Sequence, residues 1–103
     1  MLEAKYEAGF NRDIKTQQKK HRDMDKLKHV LSLVMEDTDE ARAILEAKFK
    51  DHQLTGDKKG RRECHIDERV DWLLGYVVDR EIGQVSFVIT GSHDYLFGKK
   101  SRL

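Results

Sequence analysis

Apolar residues in the first third of the chain follow a helical period. They recur every three or four residues between positions 24 and 35, which places them on one stripe of a helix: Met24, Leu27, Val30, Leu31, Val34 and Met35. Residues 13–21, just before them, are polar and basic with Ile14 as the one apolar residue, which is typical of a largely exposed helix. The two segments are separated near Asp23, so the pattern predicts a helical hairpin.

A third helix and a basic loop are predicted after the hairpin. Asp37, followed three residues later by Glu40, resembles a capping box, and residues 41–45 supply a short apolar face. Gly56 and Gly60 then bracket Asp-Lys-Lys, a composition that favours a mobile, positively charged loop.

The pattern changes to that of strands after this loop. Residues 61–66, 70–78 and 85–89 are rich in β-branched and aromatic side chains and are separated by turn-forming segments, which predicts antiparallel strands. A further strand near residues 4–10 is a candidate. We therefore expect one α+β domain over residues 1–103, with a small antiparallel sheet of about four strands packed against the helical hairpin.

Strand alternation sorts the side chains of residues 61–66 onto two faces. Neighbouring residues point in opposite directions, so Cys64 should face the core while His65 faces away from it. The same reasoning assigns Trp72 and Tyr76 to the core. A zinc site that combines Cys64 with the histidines is therefore disfavoured, and no metal or other cofactor is expected.

Composition favours a single compact domain with neither a disulfide nor a membrane span. The chain has 103 residues, of which 38% are hydrophobic and 38% charged, which suits one compact domain. Its one cysteine excludes an intrachain disulfide, and we expect a reducing, cytoplasmic location because no secretory signal is recognisable. No apolar run approaches the roughly 18 residues of a membrane span, so we expect no membrane association.

The distribution of charge is more informative than the net charge of +1. Residues 11–30 contain seven basic and three acidic residues, whereas residues 36–51 contain six acidic and three basic ones. Further positive charge flanks the C-terminal half, in Lys58, Lys59, Arg61, Arg62, Lys99, Lys100 and Arg102. Such clusters can be a solvated surface or a phosphate-binding surface, and charge alone does not decide between them.

Three of the five histidines, His52, His65 and His93, lie beside predicted strands or turns and not in the apolar stripe. Imidazole titrates near neutral pH, so two such groups can remove one proton and deliver another in the same reaction. RNA cleavage through the internal 2′-hydroxyl requires a base, an acid and cations near the phosphate. Ser92, His93 and Asp94 are adjacent in sequence and cannot form a hydrolase triad.

Four ordered blocks of sequence carry a family resemblance. They are RDIKTQQKKHRDMDKLKHVLSLV, FKDHQLTGDKKGRRECHI, DWLLGYVV and GSHDYLF. With these blocks the chain resembles the YafQ branch of the RelE superfamily of bacterial toxin endoribonucleases. The resemblance implies a RelE-like fold and a ribosome-dependent messenger-RNA interferase. It also implies a neutralising antitoxin of the ribbon-helix-helix type, similar to DinJ or RelB.

The resemblance implies roles for individual residues. His52, His65, Asp71 and His93 occupy the positions of the family's catalytic groups, and Phe97 matches an aromatic residue that positions substrate. We further expect the cations Arg62 and Lys59 to contact RNA.

One departure from the family concerns the carboxylate. Six positions separate His65 from Asp71, two more than the family's usual spacing, so Asp67 is an alternative to Asp71.

A different function is compatible with the same scaffold. ParE-type toxins of this superfamily act without cutting RNA, and a binding protein would need no catalytic histidines. The joint occurrence of His52, His65 and His93 within the matching blocks favours the nuclease.

Overall fold

The computed structural model describes residues 1–58 and 60–103, so the predicted RNA contact of Lys59 lies outside the described residues. Within these described residues, the elements follow the order β1 (Glu3–Tyr6), α1 (Ala8–Lys19), α2 (Met24–Glu36), α3 (Asp39–Phe49), β2 (His52–Gln53), a 3-10 turn (Gly56–Lys58), β3 (Arg62–Asp67), β4 (Trp72–Asp79), β5 (Gln84–Gly91) and α4 (His93–Phe97). The predicted α+β class and the helical hairpin formed by α1 and α2 are confirmed.

The starts of α2 and α3 are fixed by side chains that accept hydrogen bonds from free backbone N–H groups. The Asp23 carboxylate caps α2, and the Thr38 hydroxyl accepts the Ala41 N–H at 3.0 Å to cap α3. The prediction that Asp37 caps α3 is therefore wrong, since the cap is the next residue, Thr38. Asp37 instead ends α2 in a left-handed conformation, with φ of 53°, and its carboxylate binds Arg42 and Arg80.

The sheet has five strands in the order β1-β5-β4-β3-β2. Strands β2 to β5 pair antiparallel with their neighbours, as predicted, but β1 pairs parallel with β5. The expectation of a purely antiparallel sheet of four strands is corrected to a mixed sheet of five. The physical reason is the long connection after β1, since three helices carry the chain away before it returns to the sheet.

One face of the sheet packs against the three long helices and forms the main core. Phe10, Val30 and Leu45 of the helices meet Trp72, Leu74 and Phe87 of the sheet there. Cys64, Trp72 and Tyr76 are at most 2% exposed within this core, which confirms the faces predicted from alternation. The Trp72 indole N–H donates to the Thr90 hydroxyl at 2.9 Å, so this buried ring has a polar partner.

The opposite face is covered over part of its area by α4 and the segment that follows it. Leu96 of α4 and Leu103 pack there against Leu73, Val88 and Ile89. α4 was not predicted from the sequence; it starts at Ser92, whose hydroxyl accepts the Tyr95 N–H. No helix within the described residues is long and apolar enough to cross a membrane.

Candidate active site

Two predicted histidines meet on the sheet face that lies away from the three long helices. Alternation along β3 puts Glu63 and His65 on this face, while Cys64 and Ile66 enter the main core. β2 adds His52 directly opposite Glu63 in the antiparallel ladder. Because β2 is two residues long, His65 lies on the part of β3 beyond this pairing.

A single carboxylate lies between the two imidazoles. Glu63 Oε1 is 3.3 Å from His65 Nε2 and 3.8 Å from His52 Nε2. The Glu63 side chain is 5% exposed, whereas those of His52 and His65 are 53% and 32% exposed. The His52 Nδ1–H donates to the Lys50 carbonyl at 2.8 Å, because a carbonyl can only accept, and this bond directs Nε2 toward Glu63. The buried Glu63 carboxylate thus lies beside two imidazoles that solvent can reach.

Asp71 and His93 meet at the end of the same sheet. Asp71 precedes β4, and its Oδ1 accepts the backbone N–H of His93 at 2.9 Å. His93 begins α4 and is exposed, and its ring centroid lies 4.9 Å from that of Phe97 one turn later. The carboxylate therefore fixes the point at which the chain enters α4, and α4 presents an imidazole and an aromatic ring side by side.

The strand register relates these two pairs. His65 is opposite Leu73 in β4, and Leu73 is opposite Gly91 in β5, so the three residues form one row across the sheet. Asp71 lies two residues before Leu73, just outside β4, and His93 lies two residues after Gly91, at the start of α4. The register thus places His65, Asp71 and His93 toward one end of the sheet, on or beside the face that carries α4, while His52 lies farther along the same face, opposite Glu63.

Asp67, the alternative carboxylate, has a different environment. A bulge in the register between His65 and Asp67 pairs Asp67 with Trp72, and its carboxylate binds Lys26 Nζ at 2.9 Å. The pKa of Asp67 is lowered by the backbone N–H of Arg69, by Lys26 and by the Arg69 guanidinium. Asp67 ties the β3–β4 turn to α2, and among the two candidate carboxylates it is Asp71 that contacts His93.

Arg62 is not brought to the histidines. It is opposite Tyr76 in the ladder and points to the helix side, where its Nη2 donates to Asp51 Oδ2 at 3.0 Å. Asp51 is buried and also accepts the Tyr76 hydroxyl at 2.5 Å. Although burial lowers the pKa of Arg62, its hydrogen bond and charge interaction with Asp51 raise that pKa overall. Burial, with the Asp51 charge, raises the pKa of Tyr76 far above its usual value.

Glu63 is the site residue that sequence reasoning missed. The available signal was alternation, since residues 63 and 65 share one face of a strand. What alternation could not give was His52 as the opposite residue, because that needs the register of β2 with β3. Among the described residues, His, Cys, Asp and Glu side chains form no group of three or more suited to holding a metal ion.

Comparison with known proteins gives a consistent assignment. Residues 2–98 match the family model described as bacterial toxin of type II toxin-antitoxin system, YafQ. The chain is 38% identical over 93 residues to the mRNA interferase toxin YafQ of Escherichia coli K12, covering 90% of this chain and 92% of that relative.

Solved structures agree with that match. The toxin in the E. coli DinJ-YafQ complex superposes with a TM-score of 0.79 at 35% identity, over 95% of this chain and all of that one. A metal-bound toxin from Helicobacter pylori superposes with a TM-score of 0.80 at 32% identity, over 94% of this chain and all of that one.

Proposed function

Because this chain belongs to the YafQ family of type II toxin-antitoxin toxins, we propose that it is an mRNA interferase, an endoribonuclease that cleaves messenger RNA. The observation that carries the proposal is that the Glu63 carboxylate lies 3.8 Å from His52 Nε2 and 3.3 Å from His65 Nε2, together with the contact between Asp71 and the start of α4. A non-catalytic toxin on this scaffold would not require imidazoles oriented in this way.

The proposed chemistry uses the 2′-hydroxyl of RNA as an internal nucleophile. One imidazole removes the 2′-hydroxyl proton while another group protonates the departing 5′-oxygen, so the protein forms no covalent bond to the substrate. His65, whose ring is held by Glu63, and His93, on the first turn of α4, are the two groups proposed to exchange these protons.

The remaining residues have supporting roles in this proposal. His52 contacts the strained phosphate, Asp71 holds the backbone of His93 in place, and Phe97 stacks beside the reacting nucleotide. Metal ions are not needed, because imidazoles provide both the base and the acid. The products are then a 2′,3′-cyclic or 3′-phosphate and a 5′-hydroxyl.

The partners are proposed from the relatives. E. coli YafQ has been solved in complex with DinJ, so we propose a ribbon-helix-helix antitoxin of that kind as the partner of this chain. The messenger RNA is proposed to be cut in the cytoplasm on the translating ribosome. Expression alone, which should slow growth, and expression with the neighbouring small gene product, which should restore growth and co-purify, test this part.

A cleavage assay on translated messenger RNA, with and without a chelator, tests the catalytic part. His93→Ala and His65→Ala should each lose about 10²- to 10⁴-fold in rate, the usual contribution of a general acid or base. Asp71→Ala should lose activity, whereas Asp67→Asn, its matched carboxylate control on the helix side, should cleave at nearly the wild-type rate. Full activity of His93→Ala, or loss of wild-type activity in chelator with recovery on adding zinc, would overturn the mechanism.

A further inference from the structure

A buried carboxylate outside the site described above joins three parts of the fold. Asp13 of α1 is 5% exposed and accepts hydrogen bonds from the Thr90 backbone N–H, the Tyr95 hydroxyl and the Arg102 guanidinium, at 3.2, 2.5 and 2.6 Å. Thr90 belongs to β5, Tyr95 to α4, and Arg102 to the segment after α4. Asp13 thus connects α1 with the end of β5, with α4 and with the segment that follows α4.

Arg102 strengthens this connection from the other side. Its Nη1 donates to the Tyr95 hydroxyl at 3.0 Å, its Nη2 also donates to the Val88 carbonyl at 3.3 Å, and its guanidinium lies 5.7 Å from the centre of the Tyr95 ring. Gly9 of α1 leaves room for this side chain, because a Cβ at that position would overlap the guanidinium. We call Asp13, Tyr95 and Arg102 the α4 clamp.

The segment after α4 is folded back onto the sheet. The Ser101 hydroxyl donates to the Leu96 carbonyl, and Leu103, 5% exposed, occupies the space above Gly75. Gly75 is opposite Glu63 in the β3–β4 ladder, so Leu103 covers the sheet next to the carboxylate that lies beside His52 and His65. Residues 99–103 lie after the part of the chain that matches the YafQ model, which ends at residue 98.

Tyr95 and Leu96, which take part in the contacts described above, belong to α4, the helix that also carries His93 and Phe97. α4 is five residues long, and a helix this short is not stable by itself, so its position depends on what holds it. Leu96 anchors its buried side, and the clamp fixes Tyr95, two residues after His93, to α1. Among the described residues, the hydrogen-bond partners of the Arg102 side chain are Asp13, Tyr95 and Val88 and include none of the histidines, so any effect of Arg102 on His93 must pass through α4.

We propose that Asp13 and Arg102 are positioning residues for the cleavage reaction, and that they hold α4 through Tyr95 so that the His93 imidazole faces the reacting phosphate. The proposal rests on the proposed function for its catalytic consequence. A displacement of about 1 Å in a catalytic group can cost on the order of 10²-fold in rate. Loss of the clamp should therefore reduce turnover more than RNA binding.

The test compares Arg102→Gln with Lys100→Gln, an exposed position in the same segment that loses the same unit of charge. Arg102→Gln should lower kcat at least about tenfold, consistent with misplacement of His93, and leave KM within about twofold. Lys100→Gln should leave kcat unchanged. Tyr95→Phe, which removes one hydroxyl from a half-exposed ring, serves as a milder second variant if Arg102→Gln does not fold.

A second measurement does not require activity. Backbone amide exchange in α4 and the ring signals of His93 are followed by NMR in the same variants, with circular dichroism to confirm folding. Arg102→Gln should speed exchange at Tyr95 and Leu96 and shift the His93 ring signals, and Lys100→Gln should do neither.

The outcomes separate the two proposals. If Arg102→Gln matches Lys100→Gln in kcat and in the His93 signals, the clamp is not a positioning device, whatever the wild type does to RNA. If the wild type cleaves no RNA, the proposed function fails, and the NMR comparison still decides whether the clamp fixes α4. An equal loss of kcat in both variants would assign the effect to charge and overturn the proposal.

Discussion

Replacing Arg62 by methionine removes the guanidinium but keeps most of the side-chain stem. The Asp51 carboxylate that pairs with it is 4% exposed, while Arg62 itself is 28% exposed. Removing one partner of a fully buried ion pair costs about 3–5 kcal/mol, because the other charge stays buried without compensation. Asp51 keeps the hydrogen bond from the Tyr76 hydroxyl, and Arg62 is partly solvated, so we expect about 2–3 kcal/mol here.

Such a loss is a large share of the roughly 5–15 kcal/mol that stabilises a domain of this size. Each kcal/mol lowers the Tm of a domain of 60–100 residues by about 4–8 °C, so Arg62→Met should lower it by about 10–20 °C. Arg61→Met is the matched control, since Arg61 makes no ion pair within residues 1–58 and 60–103 and should leave the Tm within a few degrees. Urea denaturation of both variants measures the free energy of unfolding directly.

In an RNA-cleavage assay run well below either Tm, the order of the two variants should be reversed, with the larger loss in Arg61→Met. Arg61 has the same strand parity as Glu63 and His65, so Arg61→Met should weaken cleavage, while folded Arg62→Met should cleave within a few-fold of wild type. The reverse result, a normal Tm for Arg62→Met with a strong loss of cleavage, would refute this reasoning. It would restore Arg62 to the RNA-binding role predicted from the sequence.

Two further predictions follow from buried and paired groups. Cys64 is fully buried, and burial, with the Asp51 and Glu63 charges, raises the pKa of its thiol, so a disulfide reagent should label it only after unfolding; rapid labelling of folded protein would contradict this. The backbone N–H of Arg69, with Lys26, lowers the folded pKa of Asp67 below the ordinary aspartate value of about 3.9. The stability that this carboxylate contributes is therefore present above the ordinary value and is lost as the pH falls from there toward the folded pKa. Asp67→Asn should therefore lower the free energy of unfolding at pH 7 and flatten its decline in acid, and parallel pH profiles of variant and wild type would exclude this linkage.

α2 and the strands β3 to β5 were predictable because their apolar residues follow a recognisable pattern, whereas α1 was predicted only from its polar, basic composition next to α2. The six apolar positions of α2 and the alternation in β3 and β4 specify both the element and its buried face. β1 carries little such signal: its four residues include one small apolar side chain, Ala4, and its partner β5 is some eighty residues away. Its parallel pairing is decided by the three-helix connection and could not be read from four residues.

Ion pairs between residues far apart in the sequence limited the prediction both of a helix boundary and of the site residues. Asp37 and Thr38 are both good helix caps; in the structure Thr38 caps α3, and Asp37 binds Arg80, which is 43 residues away. In the same way, the positive charge of Arg62 predicted a phosphate contact, and its strand parity, opposite to that of His65, was the signal against it. The ion pair between Arg62 and Asp51 on the helix side could not be predicted, because this tertiary contact leaves no pattern in the sequence.

The two faces of the sheet separate structural carboxylates from those near the proposed chemistry. On the helix side, Asp51 and Asp67 each bind a cation, so neither is free to exchange a proton with a substrate. Near the other face, Glu63 meets imidazoles, and Asp71 meets a backbone N–H at the start of α4. The register shift between His65 and Asp67 accompanies the pairing of Asp67 with Lys26, and after the turn Asp71 contacts the backbone of His93. The two aspartates of this turn therefore have different partners, since Asp67 binds Lys26 of α2 and Asp71 accepts the N–H at the start of α4.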